Sequence, residues 1–367
     1  MNTDAPTVGV EEEFLLVDGN TGTPVARNLE VARAATEIGI ELQLELSSCQ
    51  VEASTGVHTE AAALLRELRE LRRTIADCAE KNSARLLAVA LPPTVPPLLP
   101  ITETPRYRRI ADRFGVLAQE TALCGCHVHI AIPNRATAIE VSNFLRPRLP
   151  LFLALTANSA IHRDAETGYA SWRSVQWRRW PSAGPPPHFM SVEHYEATVR
   201  TMQAAGIILD PQMVYWDVRP SVTYPTVEIR ISDVPATVEE TVLLATLIRA
   251  SVMTALTHLA EGRSAPIVAP ELLHAAYWRA AHTGLTADLL DPLDARVAPA
   301  RVLLGELVDE IAPALDRLGE SERVNRSLTT VFAHGNGAIR QVRAFRRRHR
   351  TEDVIAAMAE ATLLDCR

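Results

Sequence analysis

The stretch CGCHVHIAIP, Cys124 to Pro133, decides how this chain folds. His127 and His129 stand two residues apart, and Cys126, Val128, Ile130 and Ile132 around them are apolar. Side chains at i and i+2 share one face of a strand, and the residues between them share the other. The stretch therefore reads as a strand with one apolar face and two imidazoles on the opposite face.

Three further stretches repeat this design. TVGVEEEFLLVD (Thr7–Asp18) puts Glu11 and Glu13 on one face. MVYWDVRPS (Met213–Ser221) pairs Asp217 with Arg219, and TVEIRIS (Thr226–Ser232) pairs Glu228 with Arg230 opposite Val227, Ile229 and Ile231. An ordinary solvated strand face is rich in Lys, Thr and Ser. These faces carry carboxylates, imidazoles and guanidinium groups, with no lysine. If the strands are neighbours, the carboxylates crowd together, and buried like charges are costly without a counter-ion. A divalent cation relieves that cost, and oxygen-rich ligands with an occasional His suit Mg²⁺ or Mn²⁺. The arginines then face an anion, for which phosphate fits their forked donors.

Glu45 and Glu52 lie in a further extended region, LQLELSSCQVEAST (Leu42–Thr55). Their odd spacing sends them to opposite faces of one regular strand, so SSCQ between them must turn or bulge if both reach the site. Glu12 falls on the apolar side and reads as a hydrogen-bonded buried carboxylate.

The rest of the chain frames these strands. Of the 367 residues 47% are hydrophobic and 22% charged, an ordinary globular composition. The net charge of −7 argues against nucleic acid as a partner, since a polyphosphate needs a basic surface. The basic run RAFRRRHR (Arg343–Arg350) reads as a solvated helix face. Five scattered cysteines and an N-terminus without a basic and apolar leader lead us to expect reduced thiols and a cytoplasmic protein. TVLLATLIRASVMTALTHLA (Thr241–Ala260) is the most apolar long stretch, but Arg249, His258 and four threonines make it a buried helix rather than a membrane span. A long helix is expected within His58–Val89, ending in a short strand, and a helical stretch bent at Pro147 and Pro150 over Ala138–Ile161. Gly168–Phe189 reads as an ordered loop, and Val192–Ala205 as a helix. After Pro235 the chain looks helical to its end. We expect one α+β domain over 1–367: an antiparallel sheet in 1–235 with helices packed on one face, and a mostly helical 236–367.

Taken together, GVEEEFLLVD, SSCQVEAST, CGCHVHIAIP, YASWRSVQWRRWPSAGPPPHF, WDVRPS and TVEIRISD resemble the carboxylate-amine ligases, also called glutamate–cysteine ligase type 2. The resemblance runs from about Val8 to Leu285, with an echo in GNGAIRQVR (Gly335–Arg343). It implies a sheet like that of the glutamine synthetase catalytic domain, within the glutamine synthetase and guanido kinase superfamily. It implies ATP and Mg²⁺ as cofactors, glutamate as carboxylate donor and a small amine, nominally cysteine, as acceptor. It places Glu11, Glu13, Glu45, Glu52, His127 and Glu228 on metal ions and Arg230 on the transferred phosphate; the residues themselves add Arg219 as a catalytic candidate that could hold an α-carboxylate beside the metal site. The resemblance turns His129 toward the amino-acid substrate; from the residues themselves, Trp172 and Arg173 are read as substrate-binding, the arginine through a carboxylate or phosphate. One segment departs from the family pattern: AAYWRAAHTGL (Ala275–Leu285) has Ala276 and His282 where relatives read Asn and Arg, which puts the acceptor in question.

Other readings stay open on the residues alone. A hydrolase using the His127/His129 pair would turn over without ATP, and a binding protein on the same scaffold would not turn over at all. Neither a P-loop nor a GxGxxG motif occurs. The expected partners are small molecules, without membrane or nucleic acid, and homo-oligomerisation is open.

Overall fold

A computed structural model describes residues 5–366. Among these, seven strands form one open antiparallel sheet. They are β1 (Val8–Val17), β2 (Leu42–Leu44), β3 (Gln50–Ser54), β4 (Arg85–Leu87), β5 (Gly125–Ala131), β6 (Val218–Pro220) and β7 (Thr226–Asp233). Their order is β2-β3-β1-β5-β7-β6, and β4 pairs with the end of β1 beyond the reach of β5.

Alternation divides the sheet as the sequence requires. Val8, Val10, Val128, Ile130, Val227 and Ile229 all join one apolar core. Helices Ala61–Lys81, Arg135–Leu145 and Val238–Ala260 pack against that side, through Leu64 and Leu68 of the first and Val242 of the last. Val238–Ala260 is long and apolar enough to cross a membrane, yet most of it lies inside the fold. Its Arg249 donates to the carbonyl oxygens of Pro6 and Thr59, both at 2.7 Å. Glu12 is indeed a satisfied buried carboxylate. Arg72, fully buried on helix Ala61–Lys81, clasps it through Nε at 3.0 Å and Nη2 at 2.5 Å.

Several elements differ from the sequence expectation. Met213–Ser221 forms a strand only over Val218–Pro220, preceded by a 3₁₀ turn at Pro211–Met213 that the Asp210 side chain caps. Gly168–Phe189 contains a helix, Trp172–Trp177, capped by Ser171 Oγ accepting from the Ser174 N–H. The expected bent helix is two helices, Arg135–Leu145 and Leu149–Thr156, because Pro147 and Pro150 cannot continue the hydrogen-bond ladder. A hairpin, Asp288–Asp291 with Arg296–Pro299, interrupts the helical C-terminal part. Helices Asn28–Thr36 and Pro105–Phe114 were not expected.

Candidate active site

The pairing register assembles the site. Glu13 lies opposite Glu52 on β3, and Glu52 opposite Gln43 on β2. Glu11 lies opposite His127 on β5. His129 lies opposite Glu228 on β7, and Glu228 opposite Arg219 on β6. One face of the sheet thus carries an unbroken row of ionisable side chains. The turn between β2 and β3 brings in Glu45. Gln43 pairs with Glu52 across this hairpin, and Glu45, two residues after Gln43, comes to the same side just past the end of β2, so the odd spacing that separates 45 from 52 on a straight strand unites them here. Thr102 fixes this turn, accepting from Asn28 Nδ2 at 2.9 Å and donating to the Glu45 carbonyl at 2.5 Å.

Glu11, Glu13, Glu45, Glu52, His127, His129, Arg173, Arg219, Glu228 and Arg230 all line one cleft. His127 Nδ1 lies 3.0 Å from Glu11 and 3.9 Å from Glu52, and its Nε2 lies 3.6 Å from Glu13. His129 Nε2 lies 3.4 Å from Glu11, while its Nδ1 meets Thr226 Oγ1 at 2.9 Å. Three overlapping groups have the compactness of cation sites: Glu11, His129 and Glu228; Glu11, Glu52 and His127; Glu13, Glu45 and Glu52.

The protonation pattern follows from these neighbours. Burial, then the charge of Glu13, pushes Glu45 up to about 8. Burial, then Glu11 and Glu45, raises Glu52 well above the usual carboxylate range. Glu228 goes the other way: burial opposes ionisation, but Arg230 and Arg219 overcome it. Burial, then the adjacent Arg230, moves the His127 ring below its ordinary value, which favours the neutral imidazole.

Four expectations need correction or refinement. Arg219 lines the cleft, but its fork is closed on Glu228, with Nε at 2.9 Å and Nη2 at 3.1 Å. Its Nη1 donates to the carbonyls of Gln212 and Val214, so in this structure its donors are already engaged by the protein. Arg230 also touches Glu228, yet its buried Nε has no partner. Trp172 does not line the cleft. Because Trp172–Trp177 is a helix, Arg173 and Trp177 at i and i+4 face the cleft together, Trp180 joins them from the turn that follows, and Trp172 packs against Tyr169 outside it. His282 is likewise remote, stacked on Trp278 and edge-on to Tyr169. Asp217 does not line the cleft either.

Sequence reasoning missed the opposite wall, formed by Arg106, Tyr107, Trp177, Trp180 and Tyr215. Arg106 and Tyr107 sit in the first turn of the unexpected helix Pro105–Phe114. Thr104-Pro105 was a legible start signal, an N-cap followed by proline at the first helical position, and Thr104 Oγ1 does accept from the Tyr107 N–H.

The Glutamate-cysteine ligase family 2 profile matches residues 7–360. A relative in Nocardia farcinica, provisionally named glutamate–cysteine ligase 2-1, is 61% identical over 99% of this chain and 95% of its own length. One in Mycolicibacterium smegmatis, provisionally named glutamate–cysteine ligase 2-3, is 55% identical over 98% and 99%. Among solved structures, a glutamate–cysteine ligase from Francisella tularensis in complex with AMP is similar in fold, with a TM-score of 0.68 at 13% identity over 99% of this chain and 90% of that one. The ligase PafA, in complex with the ubiquitin-like protein Pup, is similar at a TM-score of 0.53 and 13% identity over 98% and 81%. With its profile match spanning nearly the whole chain, this protein belongs to glutamate–cysteine ligase family 2 and is an enzyme of the glutamate–cysteine ligase type.

Proposed function

We propose that the chain uses ATP to activate the γ-carboxylate of glutamate and passes the acyl group to a small amine, nominally cysteine, giving γ-glutamylcysteine. The observation that carries this reading is the row of five glutamates and two histidines across the sheet, beside an arginine with a free buried donor. Family membership and the AMP held by the Francisella tularensis ligase support it.

A carboxylate is a poor electrophile. Its oxygen attacks the γ-phosphorus of ATP, ADP leaves, and the acyl phosphate loses phosphate when the amine attacks its carbonyl carbon. The chain's part is positioning and fixed charge. Arg230 is held by Glu228 and aims its spare donors at the transferred group. Arg173, with a buried Nε lacking a partner, receives a substrate carboxylate. The aromatic wall of Trp177, Trp180 and Tyr215 excludes water from the activated acyl group. Glu11, Glu13, Glu45, Glu52, His127 and Glu228 fit Mg²⁺ or Mn²⁺, since they fall, with His129, into three overlapping groups whose ligand atoms lie within 4.8 Å of one another. Such ions, when bound, neutralise the phosphates.

The test is incubation with ATP, Mg²⁺, hydroxylamine and a panel of carboxylic acids. Hydroxylamine traps an acyl phosphate as a hydroxamate. Glutamate should give the fastest trapping. A hydroxamate from another acid and none from glutamate would overturn the donor, and turnover without ATP would overturn the reaction class.

A further inference from the structure

Arg173 enters the cleft from a buried polar bracket that the proposed chemistry leaves unexplained. Asp233, at the end of β7, is fully buried. Its Oδ2 accepts from the Asn158 N–H and from Ser159 Oγ, both at 2.8 Å, and its Oδ1 accepts from Ser171 Oγ at 2.9 Å. The same two serines hold the start of helix Trp172–Trp177. Ser159 Oγ accepts from the Arg173 N–H at 3.0 Å, and Ser171 Oγ from the Ser174 N–H at 3.2 Å. The Arg173 guanidinium then folds back so that Nη1 lies 3.7 Å from Asp233 Oδ1 and 3.3 Å from the Ile231 carbonyl. Gly125 leaves it room: a Cβ there would stand 2.3 Å from Arg173 Nη2.

The bracket continues away from the cleft. Asn158 Nδ2 donates to the carbonyls of Ala88 and Val234, both at 2.8 Å. Gln341 Nε2 donates to Asn158 O at 2.7 Å and Oδ1 at 2.8 Å, and its Oε1 accepts from the Ile161 N–H. Gly337 lets this helix approach, since a Cβ there would fall 2.0 Å from Asn158 Oδ1. Gln341 and Gly337 belong to GNGAIRQVR, the motif that no part of the cleft absorbed.

We infer that Asp233 is a positioning residue for Arg173, and that Gln341 on helix Gly337–Arg348 backs it through Asn158. This rests on Arg173 receiving a substrate carboxylate. The aspartate fixes the guanidinium twice, directly by charge and indirectly by anchoring the serines that cap its helix. Buried networks of this kind act as a unit, so removing one member displaces the others.

The test is a double-mutant cycle with the full-length enzyme. Asp233→Asn should raise the KM for the carboxylate donor by about tenfold, the loss expected for a displaced charge-assisted contact, with the KM for ATP unchanged. Gln341→Ala, whose side chain never reaches the cleft, should move the donor KM in the same direction by a smaller factor. In an Arg173→Ala background neither change should raise the donor KM further. Effects that multiply across the cycle would show that Asp233 acts structurally and would overturn the inference. A crystal structure of Asp233→Asn or Gln341→Ala gives a readout independent of turnover: the Arg173 guanidinium should leave the Ile231 carbonyl, and its retention in place would equally overturn the inference. If Arg173→Ala leaves the donor KM unchanged while the guanidinium still moves in the bracket variants, the carboxylate role of Arg173 is what fails, and the bracket stands.

Discussion

Glu13 and Glu52 stand directly opposite one another on adjacent antiparallel strands, with Glu45 close enough to share a ligand position with both. Like charges in such pairs are destabilising, and burial worsens the cost. The consequence is a pH dependence with a definite sign. Glu45 is pushed up to about 8 and Glu52 is raised well above its ordinary value. Each binds its proton more tightly folded than unfolded, so each favours folding below the unfolded carboxylate range, and that contribution is lost as pH rises through the folded value. Without divalent cations, Tm should therefore fall as pH climbs toward about 8. Mg²⁺ should raise Tm, and more at about pH 9 than at about pH 6, because binding must displace protons at the lower pH. Glu52→Gln should raise the cation-free Tm and shrink the Mg²⁺-induced gain. Equal gains at both pH values would exclude these glutamates as ligands.

Glu12 points away from the cleft and shows what a carboxylate does on the other face. Its partner Arg72 is fully buried and also serves the carbonyls of Pro235, Ala236 and Thr362. Removing one member of a buried pair leaves the other charge uncompensated. Glu12→Ala should cost about 3–5 kcal/mol in urea unfolding, while kcat of the remaining folded enzyme stays near the parent value. A loss under about 1 kcal/mol would mean that water reaches Arg72 in solution.

Alternation made half of the site legible in advance. Where a face repeats at period two, as at Glu11/Glu13, His127/His129 and Glu228/Arg230, parity alone put the side chains together. Glu45 could be recovered only through a turn, which parity flags but does not build. The aromatic wall was illegible for a different reason. Trp177 and Trp180 reach the cleft from a helix of six residues and the turn after it, too short a run to show periodicity, while the helix of Tyr107 announced only its start, at Thr104-Pro105, and not the face it presents. Trp172 was misplaced by that same error, because a loop gives no rule for which tryptophan points inward. For Arg219 strand parity gave the face and not the partner: it lines the cleft as expected, but Glu228 directly across the ladder engages its fork.

His282 departs from the family pattern, which drew attention to it as an acceptor determinant. Its ring instead stacks on Trp278 at a centroid distance of 4.9 Å and meets Tyr169 edge-on, outside the cleft. His282→Arg should accordingly leave the ranking of amine acceptors unchanged. The same amine panel run on Trp177→Phe should shift, since that indole lines the cleft against Tyr215. A reversed outcome, with His282→Arg altering acceptor choice and Trp177→Phe neutral, would place the acceptor away from the aromatic wall.

Arg219 and Arg230 flank one carboxylate, and their different attachments separate their roles. Arg219 gives Glu228 both arms of its fork, at 2.9 and 3.1 Å, and spends Nη1 on backbone carbonyls. Arg230 gives Glu228 one Nη1 contact, lies 3.4 Å from His127 Nδ1, and keeps Nε without a partner at the cleft wall. A lysine at 230 preserves the charge beside Glu228 but loses the planar fork that matches a phosphoryl group. Arg230→Lys should therefore lower kcat by about 10²-fold with little change in the KM for glutamate, the mark of a contact that tightens in the transition state. Arg219→Lys should act through Glu228 instead. With one arm lost, the carboxylate is less firmly held, and the Mg²⁺ concentration for half-maximal activity should rise while kcat at saturating Mg²⁺ recovers toward the parent value. Steady-state kinetics over a Mg²⁺ series distinguishes the two. If Arg230→Lys is rescued by Mg²⁺ in the same way, then both arginines serve only to hold Glu228, and the group that meets the transferred phosphate must be sought elsewhere in the cleft.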